Sequence, residues 1–154
     1  MANIKVGGKV SMSQLIKANK SGDVGNKKRM STDAVLYKNG LLNIETYSQS
    51  KHPTEGLRGH VLVICVDDTS KAIWVSKDYK CTTRGGRLDP FCASAGTNAW
   101  QEQFPEAVGQ HTTSLNIVHS EEGLGNVRNN ILQAIKTYTE ISQEIATEIK
   151  KLGI

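Results

Sequence analysis

Apolar and polar side chains alternate in several short segments of the chain, which is the pattern of β-strands with one buried face. The clearest case is residues 33–48, DAVLYKNGLLNIETYS, where two β-prone runs flank the dipeptide Asn39-Gly40. Asn-Gly suits the positive φ angles of a tight turn, so this segment is predicted to form a β-hairpin. The polar face of the second run consists of Asn43, Glu45 and Tyr47.

Further strands are predicted downstream. Residues 58–66, RGHVLVICV, are apolar on both faces at their centre, as expected of a strand in the middle of a sheet. Residues 72–76, AIWVS, return after a turn, and residues 111–120, HTTSLNIVHS, alternate again. Residues 77–110 contain several glycines and prolines without a regular pattern, which predicts a long loop. The antiparallel sheet is thus expected to span residues 32–119.

The C-terminal segment, residues 120–152, has a helical pattern. Its apolar residues recur at steps of three or four, which predicts one long amphipathic helix. Ser120, or alternatively Asn126, is expected to cap the helix, and Gly153 to end it. The apolar stripe consists of Val127, Ile131, Ile135, Tyr138, Ile141, Ile145, Ile149 and Leu152.

Length and composition predict a single domain over residues 1–154. The chain has 154 residues, of which 38% are hydrophobic and 22% charged. Residues 1–31 form an N-terminal segment whose polar, basic part at 17–29 is predicted to be an exposed loop. The sheet and the helix together predict an α+β fold, in which the helix packs on one face of the sheet or on a neighbouring subunit.

No targeting segment is recognisable. The N-terminus lacks the charged-then-apolar layout of a secretory signal, and no apolar run approaches the roughly 20 residues that a membrane-spanning helix needs. The chain is therefore expected to remain in the cytosol in which it is made, without a membrane partner.

Charge is distributed unevenly along the chain. Residues 1–90 hold 15 basic and 8 acidic side chains, a balance of +7, whereas residues 91–154 hold 4 and 7, a balance of −3. A basic half of this kind suits a surface that faces a polyanion. Single-stranded RNA fits a polar sheet face, because its bases stack on aromatic side chains while Lys and Arg neutralise its phosphates. Residues suited to such a surface are Tyr47, Lys51, Arg58 and His60.

Catalytic chemistry is only weakly indicated. The three cysteines form no C-x-x-C pair of the type that binds structural zinc, so neither a metal nor another cofactor is expected, and Cys65 fits a buried core position. A cysteine hydrolase would use Cys81 or Cys92 as its nucleophile, but no nucleophile motif accompanies either residue. The candidate bases are His52, His60, His111 and His119.

A small lectin-like binding module is the other open alternative. Its ligand platforms would be Trp74 and Trp100. Trp74 lies in an alternating strand and is more simply a core residue, whereas Trp100 lies in the irregular stretch and could be exposed at a contact.

The predicted elements follow one another in an order that is found in a known family. A β-hairpin leads through LLNIETYSQSKHPTEGLRGHVLVICV into a loop closed by two cysteines, and an alternating strand runs through HSEE directly into the terminal helix. The cysteine loop contains Cys81, Gly85, Gly86, Asp89, Pro90 and Cys92. Over roughly residues 32–152 this order resembles the coat proteins of single-stranded RNA bacteriophages, particularly the Q-beta-like branch.

The resemblance implies a structural, non-enzymatic protein. Its antiparallel sheet, with an N-terminal β-hairpin, would form an interlocked dimer in which the helices clasp a second subunit. Such dimers would assemble in the bacterial host cytoplasm into an icosahedral virion shell that packages single-stranded viral RNA. An RNA operator hairpin would also be bound, for translational repression. Family members commonly divide the C-terminal segment into two helices, whereas the sustained stripe in this chain predicts one.

Three sets of residues acquire roles through the resemblance. Cys81 and Cys92 match loop cysteines that form disulfides between subunits. The helix stripe, from Val127 to Ile149, matches the dimer interface. The residues that match RNA-facing strand positions are Asn43, Glu45, Tyr47, Arg58, His60, Thr112, Ser114 and Asn116.

Overall fold

A computed structural model describes residues 15–52, 55–83, 94–138 and 141–152. The strands are β1 (Leu15–Gly25), β2 (Lys28–Tyr37), β3 (Leu41–Ser50), β4 (Leu57–Val66), β5 (Ala72–Val75), β6 (Tyr79–Thr83), β7 (Ser94–Gln103) and β8 (Ser114–Ser120). The helices are α1 (Glu106–His111), α2 (Gly125–Lys136) and α3 (Gln143–Lys151). None of the helices in the described ranges is long and apolar enough to cross a membrane.

The strands form two antiparallel sheets. The first sheet has the order β1-β2-β3-β7. In the second sheet, β4 pairs with β8 on one side and with both β5 and β6 on the other. The predicted α+β class with antiparallel strands and a helical C-terminus is therefore confirmed, and the central position predicted for residues 58–66 is confirmed by the three partners of β4.

The predicted hairpin consists of β2 and β3, which pair antiparallel from Lys28↔Ser50 to Leu36↔Leu42. Gly40 has a φ of 93°, in the left-handed region that the Asn-Gly signal anticipates. Its N–H donates to the Tyr37 carbonyl at 2.9 Å, which closes the turn.

The two sheets pack face to face and enclose the main core. Met30 and Cys81 face each other across the interface, and a Cβ at Gly59 would lie 2.6 Å from Met30 Sδ and 3.2 Å from Cys81 Sγ. Glycine at this position lets the sheets approach closely. At the other end of the interface, the rings of Trp74 and Phe104 lie 6.3 Å apart. The face of each sheet that is turned away from this interface is called its outer face below.

The two outer faces are covered differently. Because Trp74 points into the interface, Ile73 and Val75 point outward from the second sheet, and both are buried where α2 lies against β5. From the helices, Leu132, Ile135, Ile145 and Ile149 are buried. Helices thus cover part of the outer face of the second sheet, whereas no described helix lies on the outer face of the first sheet.

The sheet begins earlier than residue 32, which was the predicted boundary. The stretch at 17–29, predicted to be an exposed loop, supplies most of β1 and the start of β2. Its register places Ile16 opposite Leu36 and Ala18 opposite Ala34, on the inner face. A few small apolar residues on one side are sufficient here because β1 is an edge strand, and edge strands tolerate polar and lysine residues.

The prediction of one long loop at residues 77–110 is also wrong. This region contains β6, β7 and α1, with only residues 84–93 outside the described ranges. Strand β7 pairs with β3 along its whole length, from Leu41↔Gln103 to Ser50↔Ser94. Its sequence, SAGTNAWQEQ, has few apolar side chains because only one of its faces meets the core.

The C-terminal segment is two helices rather than one. Helix α2 ends at Lys136, and α3 begins at Gln143 with Ser142 as its N-cap. The Ser142 hydroxyl accepts a hydrogen bond from the Ile145 N–H at 3.3 Å. Before α2, Leu124 occupies the cap position instead of Ser120 or Asn126. A periodic stripe can continue through such a break, because the two helices pack on the same core.

Candidate nucleic-acid interface

The residues predicted to bind RNA lie on two opposite surfaces of the molecule. Asn43, Glu45 and Tyr47 alternate with the buried residues of β3 and therefore share the outer face of the first sheet. Tyr47 is 45% exposed, which leaves its ring available for stacking.

A second group lies on the outer face of the second sheet. Arg58 and His60 alternate with the inward-facing Gly59 and Val61 of β4, and His60 is paired in register with Ser120 of β8. Ser114 and Asn116 of β8 share this face and are exposed. Because the sheets pack through their inner faces, this group points away from Asn43, Glu45 and Tyr47.

The two remaining residues of the predicted set differ in accessibility. Lys51 is exposed just after β3, where its N–H donates to the Lys27 carbonyl at 2.7 Å. Thr112 is 1% exposed, and its hydroxyl donates to the Val108 carbonyl at 2.6 Å at the end of α1. The Thr112 side chain is therefore not presented to a ligand in this structure.

The outer face of the first sheet carries more acidic than basic groups. Asp33 and Glu45 lie directly opposite each other in the β2–β3 register. They border a shallow hollow of about 500 Å³, next to Asn43, whose Oδ1 is buried and has no hydrogen-bond partner among the described residues. Among the described strand residues, the charged side chains of this face are Lys17, Asp23, Arg29, Asp33 and Glu45, two cations against three carboxylates.

The outer face of the second sheet carries a group of basic and hydroxyl residues, called the basic strip below: Arg58, His60, Lys80 and Thr82. Arg58 pairs in register with Thr82, and His60 with Lys80. Arg58, Lys80 and Thr82 are exposed. Lys80 and Thr82 were missed in the sequence because β6 lies in the region that was predicted to be a loop. The alternation of Tyr79, Cys81 and Thr83 with polar residues was the signal for that strand.

Asp78 is the carboxylate next to the basic strip, and both of its oxygens are engaged. Its Oδ1 lies 3.0 Å from His60 Nδ1. Its Oδ2 accepts the Leu124 N–H at 3.0 Å, at the start of α2. Asp78 thus serves as the cap that α2 lacks locally and is favourably placed at the positive end of the helix dipole.

An ion cluster around the buried Lys28 joins the two sheets at the same end of the molecule as the basic strip. Lys28, whose side chain is 10% exposed, places its Nζ 3.0 Å from Glu55 Oε1 and 3.1 Å from Glu121 Oε1. Hydrogen bonds to the two carboxylates raise the pKa of Lys28, and the Lys28 contact lowers the pKa of Glu55. One cation thus faces two carboxylates, and the three side chains together keep a charge of −1.

His119 links the sheets through a short polar chain. Its Nε2 lies 2.7 Å from Thr32 Oγ1, which lies 2.7 Å from Thr46 Oγ1. Its Nδ1 is buried without a partner among the described residues. Burial and the nearby charge of Lys20 lower the pKa of His119 to about 4, so its imidazole is neutral in the folded chain at pH 7.

This neutral histidine predicts a loss of stability in mild acid. The unfolded chain takes up a proton near pH 6.5, whereas the folded chain resists protonation down to about pH 4. The neutral His119 therefore contributes fully to the free energy of unfolding above pH 6.5. This contribution, about 2 kcal/mol after allowance for partial exposure, is lost as the pH falls toward 4. Urea unfolding at several pH values should show this slope in the wild type and a shallower one in His119→Asn. Equal slopes would contradict the assignment.

The cysteines of the described ranges are buried thiols. Cys81 is 1% exposed, and its Sγ accepts a hydrogen bond from the Ser48 hydroxyl at 3.1 Å. Burial raises the pKa of Cys81 and raises that of Cys65 to about 12. Cys92 lies outside the described residues, so the predicted cross-links through Cys81 and Cys92 stay a prediction. A cross-link through Cys81 requires its thiol to leave the inter-sheet core.

The residues named as the dimer-interface stripe are buried to different extents. Ile135, Ile145 and Ile149 are at most 2% exposed and pack into the core of their own chain. Val127 is 41% exposed. Partial exposure is shared by Ile131, Tyr138 and Ile141.

The residues proposed for a cysteine hydrolase or a lectin-like module do not form a shared site in the described ranges. The Cys81 thiol contacts Ser48 and the Gly59 carbonyl rather than a histidine. Within the described ranges, no group of three or more His, Cys, Asp or Glu side chains is arranged to hold a metal ion.

The two tryptophans differ in accessibility. Trp74 is packed at 8% exposure. Trp100 is half-buried and stacks on Tyr79 with ring centroids 5.0 Å apart. His52 Nδ1 accepts the Glu55 N–H, and His111 is exposed at the end of α1.

No family model, no curated protein and no solved structure matches this chain.

Proposed function

We propose that this chain is a coat-type structural protein that associates with copies of itself into a closed shell around single-stranded RNA. The dimer of interlocked subunits is the assembly unit, and the shell is the virion of an RNA bacteriophage, formed in the host cytoplasm. Binding of an operator hairpin would add translational repression to packaging. The proposal involves no catalytic step.

The main support for the proposal is the structure of the C-terminal segment. Strand β8 leads into two short amphipathic helices, which is the arrangement that the resembled coat proteins commonly have. The helices bury Leu132 and Ile135 on their own chain but leave Val127 41% exposed, with Ile131 half-buried beside it. This uncovered part of the apolar stripe is suited to a second copy of the chain.

The order of the strands adds support. The hairpin of β2 and β3, the central strand β4 and the final strand β8 occur in the sequence positions on which the resemblance rests. The helices cover only part of the outer face of the second sheet, so polar sheet surface stays open to a ligand beside the helical surface.

Self-association through the exposed part of the stripe is tested with Val127→Asp. The variant should fold, because the side chain is exposed and an acidic residue in the first turn of α2 is favourable to the helix dipole. A charge placed in an apolar contact should move most of the protein from large particles to small species in size-exclusion chromatography.

Asn129→Asp is the matched control, because it adds the same charge at an exposed position of the same helix. It should form large particles as the wild type does. Particle formation by Val127→Asp at the wild-type level would contradict the proposed role of this surface.

A further inference from the structure

We propose that the phosphates of the packaged RNA bind the basic strip on the outer face of the second sheet, and not the open outer face of the first sheet. This inference rests on the proposed function in that it assumes RNA to be the packaged polymer. It assigns the phosphate contacts to Arg58 and Lys80, with Thr82 as an additional hydrogen-bond donor.

The two cations lie on adjacent strands and face the same way. Arg58 is opposite Thr82 in the β4–β6 register, and Lys80 is opposite His60. Arg58 and Lys80 are therefore diagonal neighbours, which lie about 7 to 8 Å apart in a regular antiparallel pair. Two cations at this separation can contact different phosphates of one strand.

Neither cation has a neutralising partner in the described part of the chain. The nearest carboxylate by sequence position, Asp78, is already bonded to His60 and to the Leu124 N–H. At the end of the strands, Glu55 and Glu121 are held by Lys28. Because these carboxylates are directed to other groups, Arg58 and Lys80 stay available to contact phosphates, and release of the counterions from RNA would favour binding.

The opposite surface has the wrong charge for phosphates. On the outer face of the first sheet, Asp33 and Glu45 lie opposite each other, and neither forms an ion pair with a described residue. Arg29 is engaged with Asp23 at 3.4 Å. An RNA backbone that crosses β2 and β3 here would meet the unpaired carboxylates of Asp33 and Glu45.

Side chains along the basic strip can supplement the cations without reading sequence. Thr82 is exposed, Ser120 is half-buried opposite His60, and Asn116 is exposed further along β8. Hydroxyl and amide groups of this kind hydrogen-bond to phosphate and ribose oxygens. The basic strip is therefore expected to hold RNA largely independently of its sequence.

The test uses the double variant Arg58→Gln/Lys80→Gln in the full chain. Both side chains are exposed, so circular dichroism and the melting temperature should match the wild type. Particles purified after expression are scored for nuclease-protected RNA per mass of protein. We expect the double variant to retain less than about half of the wild-type RNA, because each cation removed releases one phosphate contact.

The matched control is Lys17→Gln/Arg29→Gln, which removes the same charge from the outer face of the first sheet. It should retain RNA at the wild-type level. Equal RNA content in the wild type and the Arg58/Lys80 variant would overturn the inference, as would a larger loss in the control.

Protein that stays in small species is titrated with a labelled, unstructured oligouridylate at several salt concentrations. Removal of Arg58 and Lys80 should weaken binding about tenfold and reduce the salt slope by about 1.4, at roughly 0.7 per phosphate contact. If the wild type forms no particles but shows this difference, the shell proposal fails and the phosphate surface stands. If the wild type binds no RNA in either form, both fail.

Discussion

Replacing Gly40 with alanine is expected to lower the free energy of unfolding by about 3 kcal/mol or more, the largest effect of any single substitution considered. Gly40 has a φ of 93°, which costs an L-residue about 1 to 2 kcal/mol. An added Cβ would also overlap the Phe104 carbonyl oxygen and lie 2.9 Å from that of Pro105. These are main-chain atoms, and Phe104 N–H donates to the Gly40 carbonyl at 2.8 Å, so they cannot easily give way.

Gly22→Ala serves as the control for Gly40→Ala. Gly22 lies in β1 at a negative φ, and a Cβ there would have no atom within 4 Å. Its free energy of unfolding should change by no more than about 0.5 kcal/mol. Chemical unfolding of the three proteins compares them directly, and similar midpoints for Gly40→Ala and the wild type would show that the turn is not built as described.

Replacing Ile145 and Ile149 together with alanine is expected to detach α3. Both side chains are at most 2% exposed, and each Ile→Ala change in a core costs about 2 to 5 kcal/mol. A helix of nine residues is not stable in water without packing, so its docking depends on these contacts. Limited proteolysis should cleave the variant rapidly within Gln143–Lys151, where the wild type is expected to resist.

The paired control is Glu144→Ala/Thr147→Ala, which shortens two exposed side chains of the same helix. Alanine is a good helix former, so protection of α3 should remain. Resistance of the Ile145/Ile149 variant equal to that of the control would mean that α3 does not pack on its own chain.

Local signals predicted the elements that depend on few residues. The hairpin follows from Asn39-Gly40 and the central strand from the apolar run of β4, both of which act within about ten residues. β1 was missed because an edge strand needs only Ile16 and Ala18 on its inner face, and its lysines look like those of a loop. The break before α3 was missed although Ser142 is a typical N-cap residue, because the apolar stripe continues in phase across it.

The candidate site could be predicted only in part, for a different reason. Alternation within one strand tells which of its residues share a face, and this correctly grouped Asn43 with Tyr47 and Arg58 with His60. It does not tell how faces of different sheets are oriented. The division of the set between two opposite surfaces therefore arises only from the face-to-face packing of the sheets.

Accessibility depends on contacts between distant parts of the chain. Asp78 is bonded to His60 of β4 and to the Leu124 N–H at the start of α2, which are 18 and 46 residues away along the chain. Neither of these contacts can be predicted from the residues next to it in the sequence. The same holds for Lys80, whose importance depends on its position beside His60 in the β4–β6 register.

Expression of the unaltered chain alone in bacteria shows directly whether it assembles into a shell that contains RNA. The lysate is separated by size, and the largest protein-containing fraction is examined by electron microscopy and ultraviolet absorbance. Uniform round particles with an absorbance ratio that shows nucleic acid are expected. A small monomer or dimer free of nucleic acid would rule out the shell and would favour a ligand-binding module instead.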